Sequence, residues 1–119
     1  MTTKTKLVTK ESLAELLRSA EPKKVQQIVG RALLVIYENQ MEDEKRSGTA
    51  AYANGIGFTV GDATIGCSNA AFFKANGYMG KAVIAYWTEI VNGYPRICKY
   101  DKQLNEAASA KQRYKDEKS

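Results

Sequence analysis

Apolar residues in this chain recur at intervals of three and four over much of its length, the period of an amphipathic helix. Leu13, Leu16, Leu17 and Ala20 form a narrow stripe that predicts a first helix from about Lys10 to Ser19, with Thr9 as its N-cap. Pro22 fits the first turn of a second, longer helix reaching about Glu44, on which Val25, Ile28, Val29, Ala32, Leu33, Ile36 and Tyr37 repeat. Leu34 and Val35 sit off that stripe, so the middle of this helix is apolar on more than one side. A central helix in a monomer and a helix paired with a second copy in a homo-oligomer both satisfy that pattern.

Glu42 to Gly48 is a polar stretch that ends the second helix and separates two halves. The glycine-rich segment from Ala50 to Thr59 is too short for a helix and reads as an extended turn or short hairpin. Asp62 opens a third helix that carries Ile65, Ala70, Phe72 and Phe73 and stops at Asn76-Gly77. Val83, Tyr86, Trp87, Ile90 and Val91 mark a fourth, closed by Asn92-Gly93. Pro95 starts a fifth, with Ile97, Tyr100, Leu104, Ala107 and Ala108 facing inward, before a charged tail frays into solvent. The expected fold is therefore mainly α, about five helices in one small domain, with a glycine-rich turn or short hairpin near residues 50–60. Residues 1–9 form a basic arm, residues 10–110 the helical domain, and residues 111–119 the tail. Within that domain, residues 10–46 are its helical N-terminal half and residues 50–108 the remainder.

A length of 119 residues suits a single core, and 44% hydrophobic with 26% charged residues is ordinary globular composition. The longest nearly unbroken apolar run, Ala32 to Tyr37, is far short of the ~20 residues that span a bilayer. No apolar h-region follows the basic start, so neither a membrane span nor a secretory signal is expected and the cytoplasm is the expected location. Cys67 and Cys98 have neither the number nor the spacing of a disulfide framework or zinc site, and both read as reduced, buried or half-buried thiols. Histidine is absent, which removes the commonest general base and the commonest metal ligand. Asp62, Glu89 and the Cys67-Ser68 pair are candidates to meet in space, yet no catalytic role can be assigned to them. No enzyme activity, metal or cofactor is expected.

The formal charge of +5 is unevenly spread. Glu11 to Lys45 holds seven acids against five bases, whereas the first ten residues carry three lysines and no acid, and Arg46 onward has ten bases against six acids. A polyanion site is thus expected in the second half, with or without the N-terminal lysines. There Arg96, Lys99 and Lys102 fall three apart, interleaved with Tyr94 and Tyr100, and Lys111, Arg113, Tyr114 and Lys115 continue the pattern. Cations beside aromatic rings suit single-stranded nucleic acid, where lysine and arginine meet phosphates and unpaired bases stack on rings. Adjacent Tyr86 and Trp87 cannot both be buried on one helix face, so one of them is a candidate stacking platform. Lys74 and Lys81 are further candidate phosphate contacts. The competing reading packs the tyrosines in the core and leaves the lysines to solvate the helix. Asn54, Gly55, Gly57, Phe58 and Asp62 suggest a phosphate loop at first sight, but they lack the glycine spacing of a dinucleotide site and the Lys-Ser/Thr pair of a P-loop.

The stretch NGIGFTVGDATIGCS, followed by PRICKYDKQLNE, resembles a module of phage DNA-handling proteins with the pattern NGxGF, DA, KYxxQL. Asn54, Gly55, Gly57, Phe58, Asp62, Ala63, Ser68, Lys99, Tyr100, Gln103 and Leu104 carry the match, over roughly residues 52–106. As a free-standing chain it resembles the Drc-like single-stranded DNA-binding regulators of podoviruses. Ile65-Gly66-Cys67 and a longer helix between the DA and KY motifs depart from the pattern. The resemblance implies sequence-blind binding of single-stranded DNA in phage replication, in transcription by a phage RNA polymerase, or in both, within the host cytoplasm. It sets Lys99, Tyr100 and Gln103 on a helix that is either DNA-facing or module-stabilising. The alternative function is a protein-interaction module, an inhibitor or polymerase adaptor, acting through the apolar second helix and its acidic end.

Overall fold

The computed structural model describes residues 8–47 and 56–118, with side chains described over residues 8–45 and 56–110. The expected mainly α fold is present: the described residues form five α-helices and one small antiparallel hairpin. Helix α1 spans Lys10–Ser19, and Thr9 caps it reciprocally with Ser12, each side chain accepting the other residue's backbone N–H. Helix α2 spans Pro22–Ser47 and α3 spans Ala63–Asn76, ending in a left-handed Gly77 whose N–H donates to the Phe73 carbonyl. Helix α4 is short, Lys81–Thr88, and α5 runs from Asp101 to Lys118.

Three expectations are corrected in the second half. Asn92-Gly93 does not end a helix; α4 stops at Thr88, and strands β1 (Ile90–Val91) and β2 (Tyr94–Pro95) pair across it. Asn92 at φ 54° and Gly93 at φ 90° both lie in the left-handed region, which is the two-residue turn that matches strand twist. Near residues 50–60, residues 50–55 lie outside the described residues and Ile56 to Gly61 form an irregular turn, one of the two forms expected there. Pro95 does not open an α-helix: Arg96–Tyr100 is a 3-10 helix that joins the hairpin to α5. The backbone of residues 111–118 continues α5 rather than fraying.

Helix α2 is central. Its Val29, Leu33 and Ile36 are fully buried, and it packs most extensively on α3, then on α5 and α4. Leu34 and Val35, the residues off its main stripe, are half-buried against the same core. Phe58, Ala70, Phe73, Met79, Trp87, Ile97, Cys98, Tyr100 and Leu104 complete the core, with Leu13 and Leu17 of α1. Cys98 is buried, Cys67 is half-buried and neither is bonded to the other.

Candidate functional site

Phe58 anchors residues 56–62 to the core. Its ring sits 5.9 Å from that of Trp87 and 5.7 Å, edge-on, from that of Tyr100, and only 1% of it is exposed. Carrying Phe58 inward turns three successive backbone N–H groups toward side chains that accept from them. Gly57 N–H donates to Gln103 Oε1 at 3.0 Å, Phe58 N–H to Gln40 Oε1 at 3.1 Å, and Thr59 N–H to the Tyr100 hydroxyl at 3.1 Å. Gln103 Nε2 returns a bond to the Gly57 carbonyl at 2.9 Å, so its amide pairs with the loop as a neighbouring strand would. Gly57 has φ 78°, and a Cβ there would overlap Gln40, so only glycine fits. Gly66 is required for the same packing, since a Cβ would stand 2.6 Å from the Phe58 ring.

Asp62 closes this loop. It is 4% exposed, and its Oδ2 accepts from Tyr100 Oη at 2.7 Å and Lys99 Nζ at 2.6 Å, while Oδ1 accepts from Tyr86 Oη at 3.2 Å. It stands at the N-cap of α3 but makes no side-chain cap bond, because both oxygens are already engaged. Burial pushes its carboxyl pKa up. The Lys99 hydrogen bond and charge, with the Tyr100 and Tyr86 donors, outweigh that and hold the group below its ordinary value. Burial, followed by the Asp62 contacts, raises the Tyr100 phenol. These contacts join residues 57–62 to the 3-10 helix and the start of α5: Lys99, Tyr100 and Gln103 clamp the loop that Phe58 anchors, and Leu104 is buried in the core. Of the two roles open for that helix, module stabilisation is the one these contacts perform.

Beside the clamp lies a cleft of about 110 Å³ lined by Lys10, Val91, Asn92, Tyr94, Pro95, Arg96 and Lys99. Lys10 arrives there because α1 packs on β2 and the 3-10 helix, and Val8 N–H, two residues earlier, bonds Asn105 Oδ1 on α5 at 2.9 Å. Arg96 is held from three sides: its Nε donates to the Tyr86 carbonyl at 3.0 Å, its guanidinium lies 4.1 Å from the Tyr86 ring centroid, and Glu89 pairs with it at 3.4 Å. Lys99 keeps 41% of its side chain exposed despite the Asp62 bond. Tyr94 is half-buried. No protein-family model, curated protein or solved structure matches the chain.

The structure thus gathers Tyr94, Arg96 and Lys99 of the expected site residues and adds Lys10. It does not bring the others to that cleft. Lys102 is exposed at the start of α5, Gln103 is committed to Gly57, and Lys74 and Lys81 are exposed near the α3–α4 turn. Trp87 and Tyr100 are corrected as stacking candidates: they are 0% and 3% exposed, packed around Phe58. Tyr86, the other member of that pair, has one ring face covered by Arg96 and its hydroxyl on Asp62. The side chains of Lys111, Arg113, Tyr114 and Lys115 lie outside those described.

Nothing in this geometry activates a nucleophile. Burial raises the thiol pKa of Cys67, which accepts a bond from Gln40 Nε2 at 3.3 Å, and burial pushes Cys98 up to about 11. Asp62 and Glu89 are each spent on a cation rather than paired with one another. Among the described residues no three histidine, cysteine, aspartate or glutamate side chains gather in a metal-binding group, and no helix is long and apolar enough to cross a membrane.

Sequence reasoning left open whether the N-terminal lysines, Lys10 among them, join the site, and it missed the role of Asp62. A lysine just inside a helix N-terminus gives no hint of which distant element it will face. Asp62 looked like a helix cap because nothing local reveals a lysine and two tyrosines converging from 24 to 38 residues away.

Proposed function

We propose that the protein binds single-stranded DNA without strong sequence preference and without catalysis, supporting phage DNA replication and transcription by a phage RNA polymerase. The observation that carries this reading is the convergence of Lys10, Arg96 and Lys99 around one cleft beside the half-buried Tyr94 ring. Cations from two separate elements facing one hollow suit a backbone phosphate, and single strands bend into such a hollow more readily than duplex. Arg96 and Lys99 already hold carboxylates, so phosphate must compete with Glu89 and Asp62, and the cleft supplies only part of the affinity. The resemblance of the NGxGF and KYxxQL motifs to phage DNA-handling proteins supports the same reading. The rival function, partner binding through the apolar stripe of α2, has little surface left, because Val29, Ala32, Leu33 and Ile36 are buried.

The test is filter binding of a labelled oligo(dT) and of a duplex of equal length at two salt concentrations. Preferential, salt-sensitive retention of the single strand is expected. Lys10→Glu, which touches no core contact, should weaken it. Equal retention of duplex, or none of either, would refute the proposal.

A further inference from the structure

Of the aromatic rings expected to stack bases, Trp87 and Tyr100 are buried and Tyr94 is half-buried, but two other rings are exposed. Phe72, on α3, is 45% exposed, and Tyr78, in the turn to α4, is 54% exposed. Their centroids lie 5.4 Å apart with planes at 86°, an edge-to-face pair at the surface. We infer that Phe72 and Tyr78 form a stacking platform for unpaired nucleobases, with the cations around the α3–α4 turn taking the adjoining phosphates. This inference rests on the single-strand reading above and locates its base contacts.

The platform is held in shape by its surroundings. Gly77 terminates α3 in the left-handed region, and Met79, only 3% exposed, pins the far side of the turn to the core. Gln26 Nε2 donates to the Met79 carbonyl at 3.0 Å, Gln27 Nε2 reaches the Gly77 carbonyl at 3.4 Å, and Asn76 Nδ2 donates to the Phe72 carbonyl at 2.9 Å. Tyr78 is thus presented to solvent between two tethered neighbours, and little backbone freedom remains to be lost when a base stacks on it. A hollow of about 170 Å³ adjoins Phe72, walled by Met79, Gly80 and Val83 with Ser68 and Asn69, so a ring stacked on Phe72 has further surface to meet.

Charge identifies the occupant. The two segments that build this face, residues 22–37 and 63–88, contain Lys23, Lys24, Arg31, Lys74 and Lys81 and no acid at all. All five cations are exposed, and none has an ion-pair partner among the described residues. Lys23 and Arg31 lie one helical turn on either side of Gln27, the residue that reaches the turn, so they share its stripe. Glu21, Glu38 and Glu89 bound these segments, but exposed rings among five exposed cations without ion-pair partners match a polyanion whose own flat groups are unpaired, which is a single strand and not a duplex.

The experiment compares the full-length protein with Phe72→Ala/Tyr78→Ala and Phe72→Leu/Tyr78→Leu, using oligo(dT) and an abasic oligonucleotide of equal length as probes. Both double variants should lose roughly tenfold to hundredfold in affinity for oligo(dT), as expected for one or two stacked bases. Their affinity for the abasic strand should stay at the wild-type level, because the phosphate contacts remain. Unchanged oligo(dT) affinity in the alanine variant overturns the inference while leaving the single-strand reading intact, and altered sedimentation in that case reassigns the patch to contact between copies. Full affinity in the leucine variant overturns it too, since apolar bulk rather than ring faces would then be what binds. If the wild-type protein does not retain oligo(dT), the reading on which the inference depends falls first.

Discussion

Two parts of this protein place lysines beside aromatic residues, and they are built in opposite ways. At the 3-10 helix, Lys99 and Tyr100 converge on the buried carboxylate of Asp62, Arg96 is spent on Glu89 and the Tyr86 ring, and Trp87 lies beneath them in the core. At the α3–α4 turn, Phe72 and Tyr78 face solvent, and the neighbouring Lys74 and Lys81 have no acid within either helix. A buried acid is what separates the two. Where a desolvated carboxylate needs neutralising, cations and phenols turn inward and become a staple; where none is present, the same residue types stay at the surface, free to meet a ligand.

Four measurements sharpen that contrast, and the first three address the staple. Phe58→Ala should cost about 3 to 5 kcal/mol in denaturant unfolding, because it empties a site bounded by Trp87, Tyr100 and Gly66 and leaves the loop with nothing to anchor. A loss below about 1 kcal/mol would show that the loop is not held by this ring. Asp62→Asn should cost about 2 to 3 kcal/mol, less than a fully buried pair because the Lys99 side chain is 41% exposed. That penalty depends on pH in a defined sense. The folded Asp62 pKa lies below its unfolded value near 3.8, so its stabilisation is complete above that value and drains as pH falls through the folded one. The gap between wild type and Asp62→Asn should therefore be constant from about pH 5 to pH 8 and narrow towards pH 2; a gap that widens in acid would reverse the assignment.

Tyr100→Phe should cost about 1 to 2 kcal/mol, since it deprives the Thr59 N–H of its acceptor and Asp62 of a donor while keeping the ring against Phe58. The smallest stability effect belongs to the other region. Lys74→Gln with Lys81→Gln should change unfolding by no more than about 0.5 kcal/mol, both residues being exposed and without ion-pair partners among those described. The same pair should flatten the salt dependence of oligo(dT) binding by about 0.7 in log–log slope for each phosphate that is no longer neutralised. An unchanged slope would remove these lysines from the strand's path.

Local rules carried most of the first half of the chain. The expected bounds of α1 are those observed, with Thr9 as its cap, and beyond that half α3 also ends at Asn76-Gly77 as the helix-terminating pair requires. Apolar residues on more than one side of α2 left a central helix and an oligomer contact both open, and the burial of Val29, Leu33 and Ile36 is what sets it in the middle of this core. The segment after α4 defeated the same rules because one signal served two structures. Asn92-Gly93 suits a helix end and a hairpin turn equally well, and the β-branched Ile90 and Val91 before it decided for the hairpin. Pro95 fits a helix start, but it is already paired in β2, so the chain needs the tighter 3-10 turn to enter α5.

What the sequence determined alone was the period of its apolar residues, and with it the helices, their caps and a mainly α fold, because those depend on neighbours within a turn or two. Which rings are buried and which cations are paired was decided only when the chain closed. Lys99 and Asp62 are 37 positions apart, and Gln103 and Gly57 are 46 apart, so no local pattern encodes their meeting. Desolvating a carboxylate and turning three backbone amides inward is unfavourable unless partners arrive from distant elements, and that requirement drew Tyr100, Lys99 and Gln103 inward while Phe72 and Tyr78 stayed in water.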